Sequence, residues 1–274
     1  MSAEQKVGID AGGTLIKLAV SGRQTDLHLF PSEAPQQCME WLSVHAPTAE
    51  LCLTGGQASQ FSTVFGRAQL PILAEFDALV NGTRYLLEQE DGTCPKESFI
   101  LVNVGTGTSI HHVCGQQAIR VGGSGVGGGT IIGLSSLILG ISNYRTIVEL
   151  SAQGKRDAVD LTVGHIYAGA TPPIPGDLTA SNFGLVAELS HATDCDKAAG
   201  IVGLVAETVT SMAILAAETV QTKRIVFIGT TFLNNPLMRS LSERYSRFCG
   251  KQPRYLKNGH FSGALGAMLH LLEH

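Results

Sequence analysis

Two short segments carry residue types suited to gripping an anion: Asp10-Ala11-Gly12-Gly13-Thr14-Leu15 and Gly105-Thr106-Gly107-Thr108. Each follows an apolar, strand-like run. A Gly/Thr hairpin tip exposes consecutive backbone N–H groups, and glycine lets the chain approach a ligand without a Cβ clash. Clustered N–H groups and hydroxyls are good donors to phosphate oxygens. Asp10, at a strand end, is an oxygen ligand for Mg²⁺, directly or through water, because hard cations prefer oxygen. Lys17, three residues beyond Thr14, adds a mobile point charge for a β- or γ-phosphate. A third feature is the glycine cluster at residues 122–129, where Gly127, Gly128, Gly129 and Thr130 precede an apolar run at 131–141. That run predicts a helix whose start offers free N–H groups to a nucleotide. No G-x-x-x-x-G-K-[ST] occurs, which excludes a P-loop, and the cluster lacks the acidic residue that a dinucleotide fingerprint needs about 20 positions on.

The elements that must position these segments occur in duplicate. Residues 6–10, 15–20 and 26–30 read as strands around the first tip, and residues 99–104, 109–114 and 118–121 around the second. An internal repeat of strand, Gly/Thr turn, strand and strand weighs more than any local propensity. Between them lie an expected helix at 36–45, a strand at 50–54, a helix to about 65, a strand at 71–74 and a helix ending near 90. The polar stretch 89–96 marks the boundary between a lobe of residues 1–95 and one of residues 96–274. Farther on, Val205, Val209, Met212, Ala216 and Val220 recur at helical spacing within 201–222, residues 225–228 read as a buried strand, and 261–274 as a helix rich in small residues. Strands alternating with helices in each half predict an α/β protein of two ribonuclease-H-like lobes with a nucleotide cleft between them. The C-terminal helix is free to pack back on the first lobe.

Composition narrows the classes. With 44% hydrophobic and 15% charged residues the chain has ample core material, which excludes a disordered or coiled-coil sequence. Glycine supplies 32 of 274 residues without a fixed period, so collagen is excluded. A formal net charge of −4 gives no electrostatic footprint for nucleic acid or an acidic membrane. The six cysteines (Cys38, Cys52, Cys94, Cys114, Cys195, Cys249) are scattered without a C-x-x-C pair, as expected of free thiols in a reducing compartment. The first residues show no signal-peptide pattern, and the uncharged stretch 121–144 has too short an apolar part to span a bilayer. A soluble, cytoplasmic protein is expected.

The motifs VGIDAGGTLIKL, CLTGG, AEFDA, NVGTGTS, RVGG, GVGGGT, PPIPGDLTASNFG, FIGTTFLNN and NGHFSGALGA run through the whole chain. In that order they resemble the type II pantothenate kinases of the staphylococcal and bacillus kind, within the actin, hexokinase and acetate/sugar kinase superfamily. The resemblance implies an actin/hexokinase-like ATPase fold, ATP- and Mg²⁺-dependent phosphorylation of pantothenate at the entry to coenzyme A biosynthesis, and a homodimer. Phosphorylating a primary alcohol needs a proton acceptor and charge to steady the phosphoryl group in transit. Glu75, at the end of the 71–74 strand, matches the family's proton acceptor, with Asp77 as the alternative base. Arg120 matches a contact to pantothenate or the transferring phosphate, and Thr106 and Ser109 match hydroxyls touching substrate and phosphates. Thr108 either joins them or only satisfies the turn backbone. By the same resemblance Tyr144 lies along the adenosine, a partly buried core tyrosine being the alternative, and Thr230 matches a nucleotide-contacting small hydroxyl residue. The resemblance implies that the stretch 172–177 belongs to the part that shapes the dimer and the pantothenate pocket, whereas its residues alone show only a stiff connection. His111 and His112, adjacent in a strand, point to opposite faces and read as packing, not a metal pair. Sugar or N-acetylhexosamine kinases of the superfamily are the nearest alternative, but they carry a Cys/His zinc cluster and an E-x-G-H type motif that this sequence lacks. A dehydratase-activating ATPase would need cysteines placed for an iron–sulfur cluster, and a non-enzymatic nucleotide switch would need larger insertions.

Overall fold

The computed structural model describes residues 5–65, 70–92, 97–185 and 191–273. Cys94 and part of the expected boundary segment lie outside them. In chain order the elements are β1 (Lys6–Ala11), β2 (Leu15–Val20), β3 (Asp26–Pro31), α1 (Pro35–His45), β4 (Glu50–Thr54), α2 (Ala58–Val64) and α3 (Glu75–Asp91). The second series is β5 (Phe99–Val104), β6 (Thr108–Cys114), β7 (Gln117–Ser124), α4 (Gly128–Leu139) and α5 (Tyr144–Ser151). There follow β8 (Leu161–Thr162), α6 (Val163–Tyr167), β9 (Thr179–Ser181), α7 (Asp194–Thr219), β10 (Arg224–Ile228), α8 (Pro236–Phe248), β11 (Gln252–Tyr255) and α9 (Ser262–Leu272).

The expected duplication is visible in the strand orders, β3-β2-β1-β4 in one sheet and β7-β6-β5-β10-β11 in the other. In each, an antiparallel meander is extended by a parallel strand: β4 beside β1, and β10 beside β5. β11 adds a fifth strand to the second sheet, parallel to β10. Its counterpart in the first sheet is the expected strand at 71–74, and there the structure differs. Only Ile72 bridges to Leu53, in parallel sense. The reason is local: α3 begins at Glu75, so the extended backbone ends two hydrogen bonds after it meets β4 (Leu53 N–H to Pro71, Leu73 N–H to Leu53). Other bounds also shift. α4 starts at Gly128, inside the glycine cluster, and stops at Leu139, where Gly140 adopts a left-handed conformation. α7 starts at Asp194, not 201, because Thr193 and Asp196 form a capping box, and it ends at Thr219.

The central strands β5 and β10 of the second sheet are buried on both faces, whereas its edge strand β7 is largely exposed. Ile100, Val102 and Val104 of β5 pack with α7 residues Val205 and Val209, while Phe99 and Leu101, alternating with them, pack with α3 and α9. α7 is long and apolar enough to cross a membrane, yet 67% of its most apolar window is buried inside the molecule, as in a core helix. α9 reaches back to the first sheet, where Ala267 and Leu271 meet Cys52 of β4. Its small residues make that approach possible: a Cβ at Gly266 would stand 1.9 Å from the Ala78 carbonyl oxygen of α3. Gly266→Ala is therefore expected to destabilise the protein by about 1–3 kcal/mol, the usual cost of overpacking, despite the better helix propensity of alanine. A thermal melt checks this, the midpoint falling by about 2–4 °C per kcal/mol.

Candidate active site

The two hairpin tips meet. Thr14 Oγ1 lies 3.3 Å from Thr106 Oγ1, 92 residues apart in sequence. Both tips border a cavity of about 650 Å³, whose walls include Thr14, Leu15, Thr106, Gly128, Gly129, Tyr144 and Thr230. Seven of the residues expected to hold a nucleotide are thus brought to one space. Asp10, Ala11, Gly12, Gly13, Lys17, Gly127 and Thr130 are not in its lining; the Thr130 hydroxyl accepts from Gly127 N–H (3.1 Å) and donates to the Gly125 carbonyl.

The expectation of free N–H groups at the start of α4 is not met. Gly128 N–H donates to the Gly105 carbonyl (2.8 Å), and Gly129 N–H donates to the Thr106 carbonyl (2.9 Å). Thr130 and Ile131 N–H groups both turn to the Gly127 carbonyl. The helix start is spent on holding the second tip in place. Glycine is required for this closeness, since a Cβ at Gly128 would meet Thr231 Oγ1 at 2.6 Å and the Gly105 oxygen at 3.0 Å. Thr231, buried, donates its hydroxyl to that same Gly105 carbonyl (2.9 Å). What the wall offers a ligand is therefore hydroxyls, glycine backbone and ring faces.

Tyr144 opens α5, and its hydroxyl is already engaged: it donates to the Thr231 carbonyl and accepts from Asn235 Nδ2 (3.1 Å). Burial pushes that phenol up to about 12, so it remains a neutral donor, and only its ring is free to line the cavity. Sequence reasoning missed Asn143, Arg145, Val148, Glu149 and Asn234 in the same walls. A signal existed for the first, since Asn143 is a good helix N-cap and accepts from Thr146 N–H.

Asp10 and Lys17 are partners across the β1–β2 register, and Lys17 Nζ donates to Asp10 Oδ2 at 2.9 Å. The lysine is thus a fixed member of the site and not a mobile arm, with its side chain only 13% exposed. Asp10 is buried, and both Gly55 and Gly263 leave room for it: a Cβ would stand 2.5 Å from Oδ1 at the first and 2.8 Å from Oδ2 at the second. Glu75, the first residue of α3, faces the same charges. Its carboxyl is raised above the ordinary glutamate range, chiefly by partial burial and then by Asp10, with Lys17 pulling the other way. The residue is nonetheless open to solvent, so the shift is moderated by water. His260, in the turn before α9, is pushed down to about 4 by burial and by Lys17.

On the other side of Glu75, its neighbour Phe76 carries the Arg120 guanidinium 5.9 Å from the ring centroid. Ser109 and His111 share one face of β6 and join through Ser109 Oγ and His111 Nε2, 3.1 Å apart. Thr108, by contrast, is buried and donates to the Val126 carbonyl (2.7 Å), which assigns it to the turn backbone. Among the described residues no group of three His, Cys, Asp or Glu side chains could hold a metal ion, and five cysteines are free thiols. The 172–177 loop covers a separate cavity of about 410 Å³ between Ile174, Pro175, Asp177, Glu207 and α8, and Asp177 pairs with Arg244 at 2.6 Å.

Comparison with known proteins places this geometry in context. The family model Fumble matches residues 26–270. The chain is 40% identical to a type II pantothenate kinase of Bacillus cereus over 272 residues, covering 98% of each chain. It is 43% identical to the type II pantothenate kinase of Staphylococcus aureus over 270 residues, 96% of this chain and 98% of that one. Solved structures alike in fold include component A of the (R)-2-hydroxyglutaryl-CoA dehydratase from Acidaminococcus fermentans, with a TM-score of 0.64, 19% identity and coverage of 98% and 97%. A ROK family glucokinase from Streptomyces griseus, solved with glucose and AMPPNP, aligns with a TM-score of 0.55 at 13% identity over 97% of this chain and 98% of its own. At such identities the likeness shows the fold alone: the actin/hexokinase-like ATPase fold.

Proposed function

This chain belongs to the Fumble family of type II pantothenate kinases, and from that premise we infer that it transfers the γ-phosphoryl group of ATP to the primary hydroxyl of pantothenate, entering coenzyme A biosynthesis. The observation that carries the reading is the meeting of Thr14 and Thr106 over one cavity, in a chain alike end to end to pantothenate kinases. The two tips grip the triphosphate through their hydroxyls and backbone, with Ala11, Gly12, Gly13 and Leu15 on one side and Gly127, Gly128, Gly129 and Thr130 behind the other. Tyr144 and Thr230 flank the nucleoside.

Glu75 accepts the proton of the attacking hydroxyl; its raised carboxyl brings it nearer to operating pH, where general bases work best. Arg120 and Ser109 hold pantothenate on the Glu75 side, and Arg120 with Thr106 steadies the charge on the group in transit. The donor set fits Mg²⁺: Asp10 and Glu75 are two carboxylates that feel one another, beside threonine hydroxyls, and this cation is commonly held by one or two carboxylates plus substrate phosphates. Asp10 would hold it, directly or through water, and when bound it would neutralise phosphate charge. Residues 1–95 and 96–274 form the two lobes of the proposal, each contributing one tip. A homodimer and a cytoplasmic setting complete it, supported by family likeness and by thiols kept free.

Measuring ADP release with pantothenate, N-acetylglucosamine or no acceptor tests the activity. Release stimulated by pantothenate alone supports it; stimulation by the sugar, or release without any acceptor, overturns it. Arg120→Ala is expected to raise the pantothenate KM or lower kcat by about tenfold, the size of one lost charge-assisted hydrogen bond. Unchanged kinetics would return Arg120 to a surface role over Phe76.

A further inference from the structure

We infer that His111 is a positioning residue for the acceptor side of the reaction, orienting the Ser109 hydroxyl directly and Arg120 through the ring of Phe76. The inference rests on the kinase reading above. Two side-chain contacts and one ladder pairing converge on this residue. His111 Nε2 lies 3.1 Å from Ser109 Oγ. Its ring centroid lies 4.7 Å from that of Phe76, tilted by 59°. In the β6–β7 ladder it stands opposite Arg120, and a register shift falls between Ile110 and His111 at that point. Phe76 in turn follows Glu75 in α3 and bears the Arg120 guanidinium. One side chain of β6 thereby touches or opposes the neighbours of every group assigned to the alcohol.

Packing alone does not account for it. His111 is 1% exposed, and burying an imidazole is costly unless its nitrogens are used. The adjacent His112 shows the contrast, since its Nε2 is buried without a partner. At His111 the nitrogen is spent on the Ser109 hydroxyl, proposed above to hold pantothenate, and burial together with Arg120 lowers the imidazole to about 4, so it stays neutral and does not repel the arginine. In either neutral tautomer Nε2 engages the serine hydroxyl, accepting from its O–H or donating to its oxygen, and so restrains its rotation. Phe76, 42% exposed, is more open than a core ring needs to be, consistent with a platform between two polar partners.

The test is steady-state kinetics on the full chain with pantothenate and ATP varied separately, preceded by thermal melts of each variant. His111→Phe keeps a ring but loses the nitrogen; it is expected to raise the pantothenate KM about tenfold, as for one lost hydrogen bond, with the ATP KM unchanged. His111→Gln, whose amide reaches the Nε2 position, is expected to restore most of that loss. Ser109→Ala added to His111→Phe should cost clearly less than the product of the two single effects, because the two side chains are coupled. A wild-type pantothenate KM in His111→Phe, or multiplying effects in the double variant, overturns the inference. Should His111→Phe not fold, Phe76→Leu at an exposed ring decides: a several-fold rise in pantothenate KM supports the platform, and an unchanged value sinks it. A wild-type chain that phosphorylates no pantothenate overturns the kinase reading itself, a result distinct from any of these.

Discussion

Glu75→Gln is expected to lower kcat by about 10²–10⁴-fold, the usual contribution of a positioned general base, while ATP binding survives. Glutamine keeps the size and polarity of the side chain at the start of α3 and removes only the ability to take a proton. The nucleotide is proposed to bind at the tips and in the cavity around Tyr144, whose walls do not include Glu75. A variant that turns over pantothenate near the wild-type rate would pass the role to Asp77, which shares the first turn of the same helix. Stability moves the other way. The folded carboxyl is raised, chiefly by burial, so its favourable contribution is present below the unfolded value and fades as pH rises through the folded one. At neutral pH the ionised Glu75 is therefore a small burden on the fold, small because the group is open to water. Glu75→Gln should melt at the same temperature as the parent protein or slightly higher, and a clear loss of stability would contradict the sign.

Much of this frame was legible in the sequence because its signals are local. The six meander strands are apolar runs cut by glycine-rich tips, and β2 occupies the expected residues 15–20. The duplication could be seen because both tips repeat the same punctuation. What escaped depended on partners far away. α8 has a mostly polar sequence, and the Asn235 cap that starts it is buried by the tertiary structure and shared with Tyr144. β11 carries Pro253, a poor strand former that survives at the sheet edge. The glycine cluster predicts a helix start with N–H groups for a nucleotide, but glycine does not reveal which group that start lies against. Here the approach is to the carbonyls of the second tip, and the N–H groups expected for phosphate are consumed by it. Lys17 likewise declared its charge but not its partner; only the antiparallel register sets it opposite Asp10. His111 was assigned to packing on strand alternation alone, and its contacts with Ser109 and Phe76 emerge only when β6 and α3 are brought together.

Asp10→Asn is expected to reduce kcat by about 10²–10³-fold, the scale seen when one preorganised electrostatic contact is removed from a reacting centre, and to shift the acid limb of the pH–rate profile to lower pH. Both follow from its place. Asp10 is the buried partner of Lys17, so the amide leaves that cation without its counter-charge, and it also removes an anion that raises Glu75. The limb should drop because a Glu75 freed of a like charge ionises more readily. Lys17→Met predicts the opposite displacement, since the lysine is what holds Glu75 down. The pair of variants separates two explanations that lost activity alone cannot. If Asp10 acted only by shaping the hairpin, both substitutions would slow turnover without moving the limb in opposite directions. If the base were Asp77, Asp77→Asn and not Glu75→Gln would be the variant that abolishes turnover. Opposite shifts in the two variants require the group that titrates in catalysis to sit within reach of both charges, and among the residues proposed for the proton that describes Glu75.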